Sequence, residues 1–252
     1  MAFCRLSGAE CRKPCPRTPA PLPPLPHTPP SSLVARLNQR FALGRPSDAI
    51  EEAGLLVHQF DRTTGQGETP WAPLLPATHV SCSVFNARVP HLYSPSAAGF
   101  VLAPQHARIR CLYSTDGGTT GTPDGCGRRA RCTPRKWWMC NWPYPAKLRK
   151  MLEAHAAHNC RGWNEVIVSR ADWLRSLPSL LEAVFFMKGK SEPHARRVHA
   201  AVARHLGRNS LPLLSFDQAN RSQPFRRVAV RPINQSRRAR RFERQVRRGR
   251  PS

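Results

Sequence analysis

Cys126, Cys132, Cys140 and Cys160 crowd one stretch of the chain, interleaved with Trp137, Trp138 and Trp142, with His155 and His158, and with cations from Arg128 to Lys136. Thiols at that density build a disulfide framework or a metal site. A structural zinc site usually brings its ligands in pairs two to four residues apart, because a tight knuckle aims both side chains at one ion. Here five residues separate Cys126 from Cys132 and seven separate Cys132 from Cys140, which counts against zinc. His155 and His158 lie three apart, so on a helix they share a face and could complete a tetrahedral set with the thiols. Zinc is therefore the one cofactor with any support, and none is otherwise implied.

Disulfide closure is the favoured expectation. The chain from Cys111 to Cys160 has few apolar residues in its first part and needs covalent closure to be ordered. The six cysteines at 82, 111, 126, 132, 140 and 160 allow about 15 fully paired connectivities. Cys82 and Cys111 fall in phase with the apolar positions of their segments and read as small buried hydrophobes. The candidates for pairing or metal binding are then Cys126, Cys132, Cys140 and Cys160, with free thiols as the third state.

A second chemistry is polyanion binding. The net charge is +25, from 40 basic and 15 acidic residues, and 34 of the basic residues are Arg. Arg shares GC-rich codons with Ala, Pro and Gly, so the overall excess has a compositional explanation; its position is more informative. Residues 226–252 hold eleven Arg against the single acid Glu243, a net of 11 − 1 = +10. Arg237, Arg238, Arg240, Arg241, Arg244, Arg247, Arg248 and Arg250 resemble in chemistry the arginine-rich segments that fold on RNA. They are the candidate contacts to RNA, DNA or another polyanion, and the run would equally serve nuclear import or a solvated tail. Arg128 to Lys136 with the tryptophans could hold anions while indole faces stack on a base or a sugar. Trp138 and Trp142, four apart, could instead plug the core.

A third chemistry, acid–base catalysis, has Asp116, His106, Glu165 and Glu182 as candidates, in no diagnostic motif. Gly-x-Ser-x-Gly and His-Glu-x-x-His are both absent, as is a phosphate-binding or dinucleotide glycine pattern in the loop 116–127. Whether the protein is an enzyme stays open. The first functional expectation is a non-enzymatic binding protein working through its Arg-rich tail. The alternatives are a secreted or lumenal carbohydrate-active enzyme with Asp116 and Glu165 as acid and base, and a zinc-dependent interaction module.

The elements that must position these groups follow from periodicity. Residues 12–31 are Pro-rich and read as polyproline II, with a PxxP spacing at Pro21 to Pro24 that suits an aromatic-grooved adaptor. Ser47 to Gln59 reads as a short helix and 61–76 as a linker. Alternation predicts strands over 78–84 and 108–113, with a third over 99–103. Pro143 and Pro145 open a helix carrying Leu148, Met151, Leu152 and His155 on one stripe. Strands are expected over 163–169 and 211–216, helical segments over 172–177 and 178–187, and a helix from Ser191 with Gly207 as its C-cap.

These elements predict an α/β or α+β fold: a single domain with a small mixed sheet, several helices and a Cys/Trp-rich loop between disordered N- and C-terminal tails. The expected boundaries are 1–46 for the Pro-rich segment, 47–75 for the short helix and linker, 76–225 for the globular domain and 226–252 for the Arg-rich tail. Residues 1–16 lack the apolar run of a secretory signal, and no stretch reaches the ~18 apolar residues of a membrane span. Nine cysteines point to an oxidising compartment, the tail permits nuclear import, and the compartment stays open between them.

Overall fold

A computed structural model of the chain describes residues 32–60, 79–88, 98–114, 126, 142–158, 163–169, 178–207, 210–220 and 222–230. The Pro-rich segment 12–31, the linker 61–76 and the segment 172–177 lie outside them. Nine strands form one mixed sheet: β1 (Leu55–Gln59), β2 (His79–Phe85), β3 (Ala98–Leu102), β4 (Ile109–Tyr113), β5 (Trp142–Pro143), β6 (Glu165–Ser169), β7 (Leu181–Met187), β8 (Leu213–Phe216) and β9 (Phe225–Arg227). Their order across the sheet is β5-β4-β6-β2-β1-β3-β7-β8-β9. All neighbours are antiparallel except β7 and β8, which the helix α4 (Glu192–His205) joins in parallel. The class is α+β, as expected, but the sheet is larger than the small one foreseen.

Both faces of the sheet are covered. On one, α2 (Ile50–Ala53), α3 (Leu148–His158) and α4 send Ile50, Leu148, Met151, Ala195, Val198 and Val202 onto Leu56, Val84, Leu102, Val166 and Val184. On the other, α1 (Leu33–Leu43) lays Leu37 and Phe41 on Val57, Phe85, Phe185, Phe216 and Phe225. Phe41 stands 5.0 Å from Phe85 and 5.4 Å from Phe216, ring centre to ring centre. Tilted and edge-on rings at this separation match positive edges to negative faces. Leu33, Leu37 and Phe41 recur every four residues, which gives α1 its apolar stripe, and the Ser32 hydroxyl caps its start by accepting from Ala35 N–H.

The packed unit therefore begins near residue 32 rather than 76. β1 is the fifth of nine strands, and α1 covers the Phe cluster, so neither belongs to a flanking tail or linker. The helix expected over Ser47 to Gln59 ends after one turn. Gly54 sits at φ +143, where an added Cβ would stand 2.7 Å from the Phe85 carbonyl oxygen, and the chain leaves it extended as β1. Leu55, Leu56 and Val57 are buried on alternate faces, the signature of a central strand.

The helix expected over 178–187 is likewise mostly strand. Leu180, Leu181, Val184 and Phe185 match a helical stripe, yet Ala183 and Phe186 between them are buried as well. A strand packed on both faces buries all of them, and β7 does so between β3 and β8. Its bulge, where Leu102 pairs with Leu181 and Val101 with Ala183, leaves Glu182 as the extra residue.

The remaining expected strands and helices that fall on described residues are present. The strands foreseen over 78–84, 99–103, 108–113, 163–169 and 211–216 are β2, β3, β4, β6 and β8, the helix after Pro145 is α3, and the helix from Ser191 is α4. α4 ends before Gly207, whose φ of +62 suits a residue without Cβ. β9 crosses the boundary expected at 225, and the described chain after it, to residue 230, lies beyond it.

Candidate polyanion interface and the other candidate residues

The cations lie unevenly on this frame. From the β7–α4 turn through β9 the described residues include Lys188, Lys190, Arg196, Arg197 and Arg204, then Arg226 and Arg227 on the edge strand, against only Glu192 and Asp217. Both acids are already engaged. Lys188 Nζ stands 2.8 Å from Asp217, and Arg196 stands 2.7 Å from Glu192 one helical turn away. Lys188 donates a hydrogen bond to the Asp217 carboxylate, holding that carboxyl below the usual range, and Arg226 adds to the effect. Lys190, Arg197, Arg204 and Arg227 are exposed and make no ion pair among the described residues.

Local structure fixes where these groups point. Arg197 and Arg204 are seven residues apart on α4, so they lie on one stripe about 10 Å apart. That stripe faces solvent because Ala195, Val198 and Val202 take the inner face. Arg226 pairs with Ser215, and Val228, two residues on, packs against the α4-side core; alternation therefore places Arg226 on the α4 side and Arg227 on the α1 side. Arg196 reaches across to the Ala229 carbonyl at 3.3 Å, which ties α4 to the chain leaving β9.

β9 itself is pinned from within. Asn38 of α1 donates through Nδ2 to the Phe225 carbonyl at 3.1 Å and accepts from Phe225 N–H at 2.8 Å, both in buried surroundings. A side-chain amide presents donor and acceptor as a strand neighbour would, so Asn38 gives the edge strand a partner on its open side. Phe225 fills the pocket between Phe41 and Phe216. The expected contact residues Arg237, Arg238, Arg240, Arg241, Arg244, Arg247, Arg248 and Arg250 lie outside the described residues, as do Arg128 to Lys136, Trp137 and Trp138. Trp142, in β5, is half-buried and packs against the core.

The cysteine expectations need one correction. Cys126 is disulfide-bonded to Cys111, a residue read above as a buried hydrophobe outside the candidate set. The reason is a bulge. Ile109 pairs with Val168 but Cys111 with Ile167, so Arg110 is an inserted residue that reverses the phase of the strand. Ile109 and Leu112 face the main core, whereas Cys111 and Tyr113 face away, with Cys126 and Ile167, in a separate cluster. Tyr113 O–H donates to the Cys126 carbonyl and holds the bridged segment against β4. Cys82 is a free, buried thiol, as expected, and burial raises its pKa well above the ordinary thiol range, which leaves it unreactive. Cys132, Cys140 and Cys160 lie outside the described residues.

His155 is a core residue. It is fully buried on α3, and its Nδ1–H donates to the Ser114 carbonyl at 2.7 Å. His158 is the last residue of α3. Among the described residues no three of His, Cys, Asp and Glu come together where they could hold a metal ion. Nor is any helix among them long and apolar enough to cross a membrane.

Among the described residues, the acid–base candidates Glu165, Glu182 and His106 are not brought together. Glu165, buried on β6, accepts from the Ser81 hydroxyl on the sheet face away from α3 and α4. Glu182 forms a partly buried pair with Arg40 of α1 at 2.9 Å. Four strand spacings separate β6 from β7, about 19 Å, well beyond the roughly 5–9.5 Å between the paired carboxyls of glycosidases. His106 is exposed on a single 3₁₀ turn at Pro104–His106, and Asp116 lies outside the described residues. Two buried imidazoles were not foreseen as special: His58 Nδ1–H donates to the Ser81 carbonyl, and His199 Nε2–H to the Leu211 carbonyl, each at 2.7 Å. Burial pushes both below the usual histidine range.

No family model matches this chain, and no curated protein matches it.

Proposed function

We propose that this is a non-enzymatic binding protein whose Arg-rich C-terminal tail engages nucleic acid or another polyanion. The observation that carries the reading is the position of the charge. Eleven Arg follow from residue 226 onward, and the first two occupy an edge strand whose neighbour Phe225 is bonded to α1 and buried among aromatic rings. A cationic segment gains from such an anchor, because a fixed base raises the local concentration of its charges at any anion held nearby. Arg rather than Lys suits phosphate, since the planar guanidinium presents a fork of donors to its oxygens.

The test replaces Arg237, Arg238, Arg240, Arg241, Arg244, Arg247, Arg248 and Arg250 by Gln in the full chain. Affinity for an RNA oligonucleotide and for heparin is then measured against salt. Each phosphate that the variant no longer neutralises lowers the slope of log K on log salt by about 0.7 to 0.9. Unchanged affinity and slope in the variant reject the reading.

A further inference from the structure

We infer that the folded edge beside the tail is itself a phosphate-binding surface, made by Lys190, Arg197, Arg204 and Arg226 on the α4 side of the sheet, and that it takes the backbone of a nucleic-acid duplex without reading its sequence. This rests on the tail reading and extends it to the structured part of the molecule. All four side chains are exposed. Both acids of the neighbourhood are paired directly with Lys188 and Arg196; Arg226 also feels the Asp217 charge, but none of the four forms an ion pair with a described carboxylate.

The partner's class follows from what accompanies the charge. A protein partner needs an apolar or aromatic centre to its interface. Among the described residues the one exposed large hydrophobic is Val230. Single-stranded nucleic acid is held by aromatic platforms on which bases stack, and no Phe, Tyr or Trp is exposed among the described residues. A polar, cationic surface with neither feature fits phosphates in a regular array. Arg197 and Arg204 span about 10 Å, a length over which a duplex presents roughly six phosphates. DNA and RNA duplexes share this chemistry and serve as separate arms of the test.

The experiment uses the full chain. R197Q/R204Q removes two edge charges from the outer face of α4, with a residue that favours helix. R110Q/K150Q removes two exposed charges that make no described ion pair, on β4 and α3 at the other end of the sheet, β4 being about 34 Å from β9 by seven strand spacings. Binding to a 20-base-pair DNA duplex, the matching RNA duplex and a poly-glutamate competitor is followed by fluorescence anisotropy across salt. The edge variant is expected to lose close to two units of slope and about 30-fold in affinity near 0.15 M salt on either duplex, while the distal variant stays close to the parent.

If the parent itself fails to bind either duplex, this inference fails, while the tail reading is judged by the RNA-oligonucleotide and heparin measurement. If the parent binds and the edge variant matches it, the inference alone fails. Equal losses in the two variants would mean that net charge, not this surface, is responsible. Poly-glutamate displacing duplex at equal charge concentration would reassign the surface to an acidic protein.

Discussion

Replacing Asn38 by Leu tests how the edge strand is held. The leucine keeps the volume of the side chain and removes both of its hydrogen bonds, 3.1 Å to the Phe225 carbonyl and 2.8 Å from its N–H. Phe225 is 1% exposed, so neither backbone group can turn to water without the strand moving. Leaving a buried polar group unmade costs about 1–3 kcal/mol, and the pair about 2–4 kcal/mol once some relaxation is allowed. In a unit of this size that lowers Tm by about 4 to 16 °C.

Urea unfolding measures the loss, and amide hydrogen exchange at Phe225 locates it. The slow exchange expected of the parent should rise to that of a frayed strand. Asn38→Asp keeps the acceptor for Phe225 N–H but sets a charge against the carbonyl, and is expected to be no more stable than the leucine variant. An Asn38→Leu protein within about 0.5 kcal/mol of the parent, with Phe225 still protected, would refute the role given to this amide.

Two further outcomes follow from buried groups. The folded-state pKa values of His58 and His199 are lowered, so the unfolded chain takes up protons first; their contribution is complete above the ordinary pKa near 6.5 and is lost as pH falls below it, at no more than about 1.4 kcal/mol per pH unit for each group. His199→Gln retains a donor for the Leu211 carbonyl, and the urea midpoint should then vary less between pH 7 and 5; an unaltered pH profile would remove His199 from the account. The Cys111–Cys126 bond closes a loop of sequence separation 15, worth about 3 kcal/mol in a chain-entropy treatment. Dithiothreitol should lower the urea midpoint of the parent but not that of the double Cys111→Ala/Cys126→Ala variant, and a parent indifferent to reductant would contradict the bridge.

Much of the frame was readable because its signals are local. Val80, Cys82 and Val84 alternate, and β2 forms there; the stripe of Leu148, Met151, Leu152 and His155 is the buried face of α3. The misreadings arise where one residue reverses a local pattern or where burial on both faces removes it. Gly54 turns an amphipathic helix into a strand, Arg110 shifts the phase of β4 and so sends Cys111 to a disulfide, and β7 is apolar on both sides, which a helical stripe also satisfies. α1 is hidden between the Pro-rich residues that run up to Pro30 and the further proline at Pro46, although Leu33, Leu37 and Phe41 carry its period. The basic edge was legible only as a total. Pairings between residues far apart in the chain, such as Lys188 with Asp217, decide which cations remain uncompensated.

The Asn38 clasp also sets a timetable. It joins residues separated by 187 positions, so the first described helix is synthesised 187 residues ahead of its partner. Until β9 emerges, Phe41 and Phe216 lack the Phe225 ring, and the β8 edge lies open to any other strand. Long-range pairing of this kind makes completion slow. A ribosome-bound chain is therefore most exposed to aggregation just before residue 225 appears, and a chaperone would find its target at the β8 edge.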